Sequence, residues 1–169
     1  PMQTLCDLFT VWEKKGKLEG LKIAYVGKGG SNAASLVTGA IKCGMEVAVA
    51  TPKKFALRED AVNDALQYGN FLITENPVEA VKGADIIYTD GYSYHSSISE
   101  NDLEILKPYQ VNASLFSLAN HSAYFMHSLP ATRGAEVTAD VIDGKNSLVL
   151  EQGENKLHTV KAVLAMLIK

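Results

Sequence analysis

The sequence predicts an α/β fold: a three-layer, doubly wound domain built on a mainly parallel sheet. Two observations carry this. Short apolar runs of strand length alternate with stretches of helical periodicity along the chain. Two of those runs, 23–26 and 86–88, are almost unbroken by polar residues, as strands covered on both faces are.

Residues 3–15 read as an amphipathic helix, with Leu5, Leu8, Phe9 and Trp12 at helical spacing and Gly16 as the stop. The run 22–26 is a buried strand that passes into Gly27-Lys28-Gly29-Gly30-Ser31-Asn32, and a helix over 32–43 follows, closed by Gly44. The next strand, 45–50, ends at Thr51-Pro52. A helix over 59–68, a strand at 71–74, a short helix from Pro77 and a strand at 85–89 come next. Residues 90–99, rich in Tyr and Ser, form an irregular stretch. Helical stretches at 101–106 and 111–119 precede a strand at 123–126. A short strand at 147–150 leads to the last helix, 155–168, which sets Leu157, Val160, Val163, Leu164 and Leu167 on one face.

The 169 residues suffice for one well-packed domain and are too few for two ordinary ones. With 47% apolar and 21% charged residues and a net charge of −3, the composition is globular, and no Lys/Arg block points to a nucleic-acid partner. Cys6 and Cys43 have neither metal-ligand nor redox-motif spacing, so a reduced, cytoplasmic protein is the expectation. No apolar run reaches the roughly 18 residues of a membrane span, and no signal pattern opens the chain. The chain starts at Pro1 with no Met before it, as a fragment or processed product does.

Ligands of doubly wound sheets collect at the carboxyl ends of strands, and three loops lie there: 27–32, 90–97 and 127–133. Gly27-x-Gly29 before a helix resembles a dinucleotide fingerprint, but Asn32 occupies the third Gly position and Thr51-Pro52-Lys53-Lys54 offers no carboxylate for a ribose. Asp90 ends a strand and is either a turn cap or a ligand for a cation. His127 and Ser128 are adjacent on an extended chain and point to opposite sides, which rules out a nucleophile–base pair. Arg133 offers a planar fork of donors matched to phosphate or carboxylate oxygens. His95, His121, His127 and His158 show no paired metal spacing, and His95 and His121 read as surface residues.

The stretch Phe125-Met126-His127-Ser128-Leu129-Pro130-Ala131-Thr132-Arg133-Gly134 resembles the His-Cys-Leu-Pro signature of the ornithine/aspartate carbamoyltransferase family, in the Pro-Ala-Thr-Arg form of putrescine carbamoyltransferases. Residues 136–144 resemble that family's next segment, and Pro1-Met2-Gln3 resembles the end of its His-Pro-x-Gln loop. Ser128 stands where the family carries Cys. In place of the Ser-Met-Gly run of ornithine enzymes the chain reads Gly91-Tyr92-Ser93-Tyr94-His95-Ser96-Ser97.

The resemblance implies transfer of a carbamoyl group from carbamoyl phosphate to an amine, with ornithine, putrescine or a related amine or amino acid as acceptor. It implies that residues 1–169 are the second, amine-binding domain, with the carbamoyl phosphate-binding domain outside this chain, and that the isolated chain is inactive. Gln3, His127, Ser128, Leu129 and Arg133 take the catalytic positions: Gln3 and Arg133 contact carbamoyl phosphate, the Leu129 carbonyl orients the carbamoyl nitrogen or the amine, and Ser128 keeps a polar contact. Ser31, Asn32 and Asp90 bind the amine substrate. No metal or other cofactor is expected. The parent is expected to be a homo-oligomer, a trimer, with no nucleic-acid or membrane partner. Helices 3–15 and 155–168 resemble the family's bridging helices, whose apolar stripes are expected to be partly exposed here. Lys28 repels a second substrate cation and suits a carboxylate. Two alternatives stay open: a module binding a nicotinamide cofactor, and a paralogue that keeps the fold without turnover.

Overall fold

A computed structural model of the chain describes residues 1–92 and 98–168. Its elements in order are α1 (Met2–Lys15), β1 (Lys22–Val26), α2 (Ser31–Lys42), β2 (Glu46–Ala50), α3 (Glu59–Leu66), β3 (Phe71–Thr74), α4 (Pro77–Val81), β4 (Ile86–Thr89), α5 (Glu100–Leu106), α6 (Ala113–Phe116), β5 (Tyr124–His127), α7 (Ala139–Ile142) and α8 (Val149–Leu167). The five strands form one parallel sheet in the order β3-β2-β1-β4-β5. The chain winds outward from β1 to β3 and then returns to the other side of β1 with β4. The strand order therefore reverses between β1 and β4, and the loops that follow them diverge there to leave a crevice.

Successive side chains on a strand face opposite layers, and the core divides accordingly. Ile23, Tyr25, Val47, Val49, Ile86, Tyr88 and Met126 pack under α1 and α2 with Leu8, Val11, Leu36, Val37 and Ala40. Ala24, Val26, Ala48, Ile87 and Phe125 pack on the other face against Ala80 and Val81 of α4, Leu115 of α6 and Val141 and Ile142 of α7. The fold is the doubly wound α/β architecture that the alternation of runs predicts.

Three expectations need correction. The strand at 71–74 is not buried: β3 is an edge strand, and Leu72 and Ile73 are 37% and 43% exposed. Residues 147–150 are not a strand. Ser147 makes one isolated bridge to Phe125, and the chain turns helical at Val149 because Val149 and Gln152 continue the buried face of α8. Of 111–119 only 113–116 is helical, since Val111 is drawn into a bridge with Val137. The 90–99 stretch, the Ser-Met-Gly replacement and His95 fall in part or wholly on residues 93–97, outside the described residues; His121 is exposed.

The seam between α1 and α8 is polar where the sequence leads one to expect leucines. The buried positions of α8 are Val149, Gln152, Asn155 and Thr159. Asn155 Nδ2 donates to Thr10 Oγ1 (3.1 Å) and Glu13 Oε2 (3.0 Å), and the Cys6 thiol donates to the Gln152 carbonyl (3.0 Å). Lys14 closes the seam at the surface with Glu151, at 2.8 Å. The leucine stripe turns outward: Leu157, Leu164 and Leu167 are 60%, 48% and 75% exposed, and Leu5 and Trp12 of α1 are exposed as well. Among the described residues no helix is long and apolar enough to cross a membrane.

Candidate active site

A cleft of about 550 Å³ opens at the carboxyl ends of β1 and β4, under the N-termini of α1 and α2. It gathers Gln3, Lys28, Ser31, Asn32, Asp90, Ser128, Leu129 and Lys156. Six of the eight residues given site roles by resemblance thus share one cleft. Among the described residues no group of His, Cys, Asp and Glu side chains is arranged to hold a metal ion.

Asp90 lies at the mouth of β4. Its Oδ1 lies 2.7 Å from the Tyr25 hydroxyl, and its Oδ2 receives a long bond, 3.4 Å, from Asn32 Nδ2. Tyr25 Oη also sits 2.6 Å from the Lys28 carbonyl. A phenol has one proton to donate, so it serves only one of these acceptors at a time. A proton on Asp90 resolves the conflict, because Asp90 then donates to Tyr25 and Tyr25 to the carbonyl. Burial pushes the Asp90 carboxyl above its ordinary range, against the pull of Tyr25, Asn32 and the nearby Lys28 charge. Such a carboxylate is poised to ionise against an incoming cation.

The Gly-rich loop is built for packing on its neighbour. The Gly29 N–H already donates to the Phe55 carbonyl (2.8 Å), and a Cβ on Gly29 would stand 2.5 Å from that oxygen. Glycine is needed here because the 53–57 segment lies against the loop, and one amide that a dinucleotide phosphate needs is occupied. Ser31 and Asn32 open α2 and face the cleft.

His127 is not in the cleft. It is buried behind the loop that follows β5, where its Nδ1 accepts the Leu129 N–H at 2.8 Å. That bond places the ring proton on Nε2, which lies 3.3 Å from the buried Glu136 carboxylate without a well-aligned hydrogen bond. Glu136 in turn accepts the Thr132 N–H. The pair ties both ends of the 128–136 loop to the domain. Leu129, held with φ at +47° and followed by a cis peptide bond to Pro130, is thereby pressed into the cleft with Ser128 beside it. His127 and Ser128 diverge, as expected for neighbours on an extended chain.

Arg133 also stands apart. Its guanidinium forms a two-pronged pair with Asp143, Nε to Oδ2 at 2.8 Å and Nη2 to Oδ1 at 2.6 Å, in a separate surface hollow. The resemblance gives Arg133 a contact with carbamoyl phosphate, but its fork is taken up by Asp143, ten residues on, and it does not line the cleft that holds Gln3 and Asp90. The cations that line the cleft are Lys28 and, from α8, Lys156, the latter close to Gln3 and Leu129.

Sequence reasoning missed Lys156 together with Asp7, Tyr25, Tyr88 and Gln152, which support the cleft from beneath. A signal existed for two of them. Asp7 and Gln152 lie on the buried faces of α1 and α8, where a carboxylate or carboxamide needs partners.

The fold and the site define a doubly wound α/β domain with a mixed-charge ligand cleft at the point where the strand order reverses. Residues 19–167 match the family described as aspartate/ornithine carbamoyltransferase, Asp/Orn binding domain. The chain belongs to that family. It is 43% identical to the ornithine carbamoyltransferase of Bacillus subtilis (strain 168), an alignment covering 99% of this chain and 55% of the relative. The solved ornithine carbamoyltransferase of Pyrococcus furiosus superposes with a TM-score of 0.91 at 45% identity, over 98% of this chain and 55% of that one. The Thermus thermophilus structure gives 0.91 at 38% identity, over 100% and 55%. The chain thus spans about half the length of the relatives it matches.

Proposed function

We propose that this domain binds the amine substrate of a carbamoyl transfer, with ornithine as the acceptor. The observation that carries the reading is that groups of both signs line one cleft: Asp90, Lys28 and Lys156, together with the Gln3 carboxamide. Ornithine presents a carboxylate and an ammonium besides the attacking amine, and it suits a cleft with charges of both signs. A diamine leaves Lys28 facing a cation. The ornithine carbamoyltransferases among the relatives favour the same acceptor.

In this reading Asp90, Asn32 and Ser31 hold the amino acid, and Lys28 meets its carboxylate. The neutral amine attacks the carbamoyl carbon of carbamoyl phosphate, a tetrahedral intermediate forms, and phosphate leaves. Gln3 and the Leu129 carbonyl orient the carbamoyl group, Ser128 supplies a polar contact, and Lys156 meets the developing anionic charge in place of Arg133. His127 and Arg133 hold the loop that presents Leu129. Catalysis then rests on positioning and on electrostatic stabilisation.

The remaining elements belong to a second, carbamoyl phosphate-binding domain that closes over this cleft. The full-length protein is a homo-oligomer, a trimer, and the outward leucines of α8 supply apolar surface for contacts of this kind. Residence in the cytoplasm fits the two unpaired cysteines. The test is carbamoyl transfer by the full-length protein to ornithine, putrescine and aspartate, with calorimetric binding of each. Ornithine should be carbamoylated and bind most tightly. Transfer to none of them overturns the reading, and a preference for putrescine overturns the acceptor.

A further inference from the structure

Beneath the cleft lies a carboxylate that the reaction as read above does not use. Asp7 is fully buried at the centre of the α1, β4 and α8 packing. Its Oδ1 accepts from Gln3 Nε2 at 2.8 Å and Gln152 Nε2 at 2.6 Å, and its Oδ2 accepts from the Tyr88 hydroxyl at 3.0 Å. Tyr88 Oη itself lies 3.4 Å from Asn32 Nδ2 and 3.5 Å from Gln152 Nε2, both donors. Asp7 is therefore the one neighbour among these to which the Tyr88 proton can go, and the direction of the whole chain of bonds is determined. Gln3 turns its NH2 to Asp7, which leaves its carbonyl for the cleft. Tyr88 donates to Asp7 and accepts from Asn32.

We propose that Asp7 is a positioning residue that holds Gln3 at one end of the cleft and, through Tyr88, Asn32 at the other, in a fixed mutual orientation. The proposal rests on the function above only for what Gln3 and Asn32 touch; the coupling itself is a property of the fold. Three donors converge on two oxygens, an arrangement that an ionised carboxylate satisfies fully and a protonated one does not. When Asp7 takes a proton, the Tyr88 hydroxyl loses its acceptor, and one of the three donors must turn away.

The balance is close. Burial raises the Asp7 carboxyl from 3.8 to about 6, against the three hydrogen bonds and the charge of Lys156 on α8. The other titratable groups around it are Cys6 on α1 and Tyr88 on β4, whose own values burial pushes up, and Asp90 lies beyond Asn32. None of these supplies a cation in contact. Gln3 and Asn32 should thus lose their shared orientation together as the pH falls through about 6.

The side-chain NH2 resonances of Gln3 and Asn32, followed by NMR in the full-length protein, read this without any assay of turnover. Because Asn32 also meets the Asp90 carboxyl, all spectra are taken in an Asp90→Asn background: there both should shift with a common midpoint near that of Asp7, and adding Asp7→Asn should abolish both transitions. Tyr88→Phe cuts one arm alone: Asn32 should lose the transition while Gln3 keeps it, which separates the coupling from a general loss of structure. In kinetics, Asp7→Asn should lower kcat/KM about tenfold or more and remove from its pH profile the acid-side loss that Asp7 contributes, leaving the separate dependence that Asp90 gives. Gln3 and Asn32 titrating with different midpoints, or still titrating in Asp7→Asn, overturns the proposal. Absence of carbamoyl transfer with the common titration intact overturns the proposed function and leaves the coupling standing.

Discussion

The hydroxyl of Tyr25 lies 2.7 Å from Asp90 Oδ1, so a fully buried tyrosine from β1 holds the one carboxylate that β4 presents to the cleft. The contact bridges the point where the strand order reverses. It makes this end of the cleft a product of two neighbouring strands, through residues that are 65 apart in sequence.

If Asp90 receives the substrate ammonium, Asp90→Asn should raise the KM of ornithine by about tenfold or more and leave that of carbamoyl phosphate nearly unchanged. Burial raises the carboxyl, and the ammonium favours its ionised form. Ornithine affinity should therefore fall as the pH drops through the raised value of Asp90. The Asn variant should lose that dependence. Equal effects on both substrates indicate that Asp90 merely caps its loop.

Asp7 carries a pH signature in stability as well. Its folded value, about 6, lies above the 3.8 expected when unfolded, so the native state binds the extra proton between the two. The contribution runs one way: no penalty below about pH 4, and a growing one as the pH rises through about 6. Two units correspond to about 3 kcal/mol. Urea unfolding at pH 4.5 and 7, compared between wild type and Asp7→Asn, should show the variant losing less stability than wild type on going to the higher pH. Equal differences sink this account of the buried carboxylate.

Lys156 and Arg133 should separate cleanly. Lys156→Ala should reduce turnover on the order of a hundredfold, because it removes a cation from the cleft. Arg133→Ala removes an exposed ion pair with Asp143 and should leave turnover within a few-fold of normal. Steady-state kinetics of both variants decide it, and the reverse ranking would falsify the placement of the anion.

Trp12 of α1 and Leu164 and Leu167 of α8 are 52%, 48% and 75% exposed, so each of the two paired helices leaves large apolar side chains uncovered. Apolar patches beyond a few hundred Å² find partners. The 169-residue chain should self-associate with rising concentration in sedimentation or size-exclusion measurements, and Trp12→Glu should suppress this while the melting temperature stays nearly constant. A strictly monomeric chain, indifferent to the substitution, shows that this surface needs no cover.

The sheet and its winding were legible in the residues themselves. A strand buried on both faces cannot hide its apolar run, and 23–26, 47–50 and 86–88 each show one. The end of β4 likewise marks Asp90 as a mouth residue. The motif at 127–130 directed attention to a loop that reaches the cleft, where Gln3, Ser31, Asn32, Ser128 and Leu129 meet Asp90.

The tertiary structure decided the rest, because it concerns which of several available partners a polar group meets. Arg133 belongs to a suggestive motif, yet its fork closes on Asp143, and only packing brings those two side chains together. His127, which the resemblance sets among the catalytic positions, lies buried with its Nδ1 accepting the Leu129 N–H. The α8 stripe of leucines has the periodicity of a core face, but a helix surface does not say which side is covered. Here α1 meets the polar side, through Gln152, Asn155 and Thr159, and the leucines remain outside. Periodicity records where apolar residues recur along one element; contacts between residues about 145 positions apart, such as Asp7 with Gln152, exist only once the helices have packed.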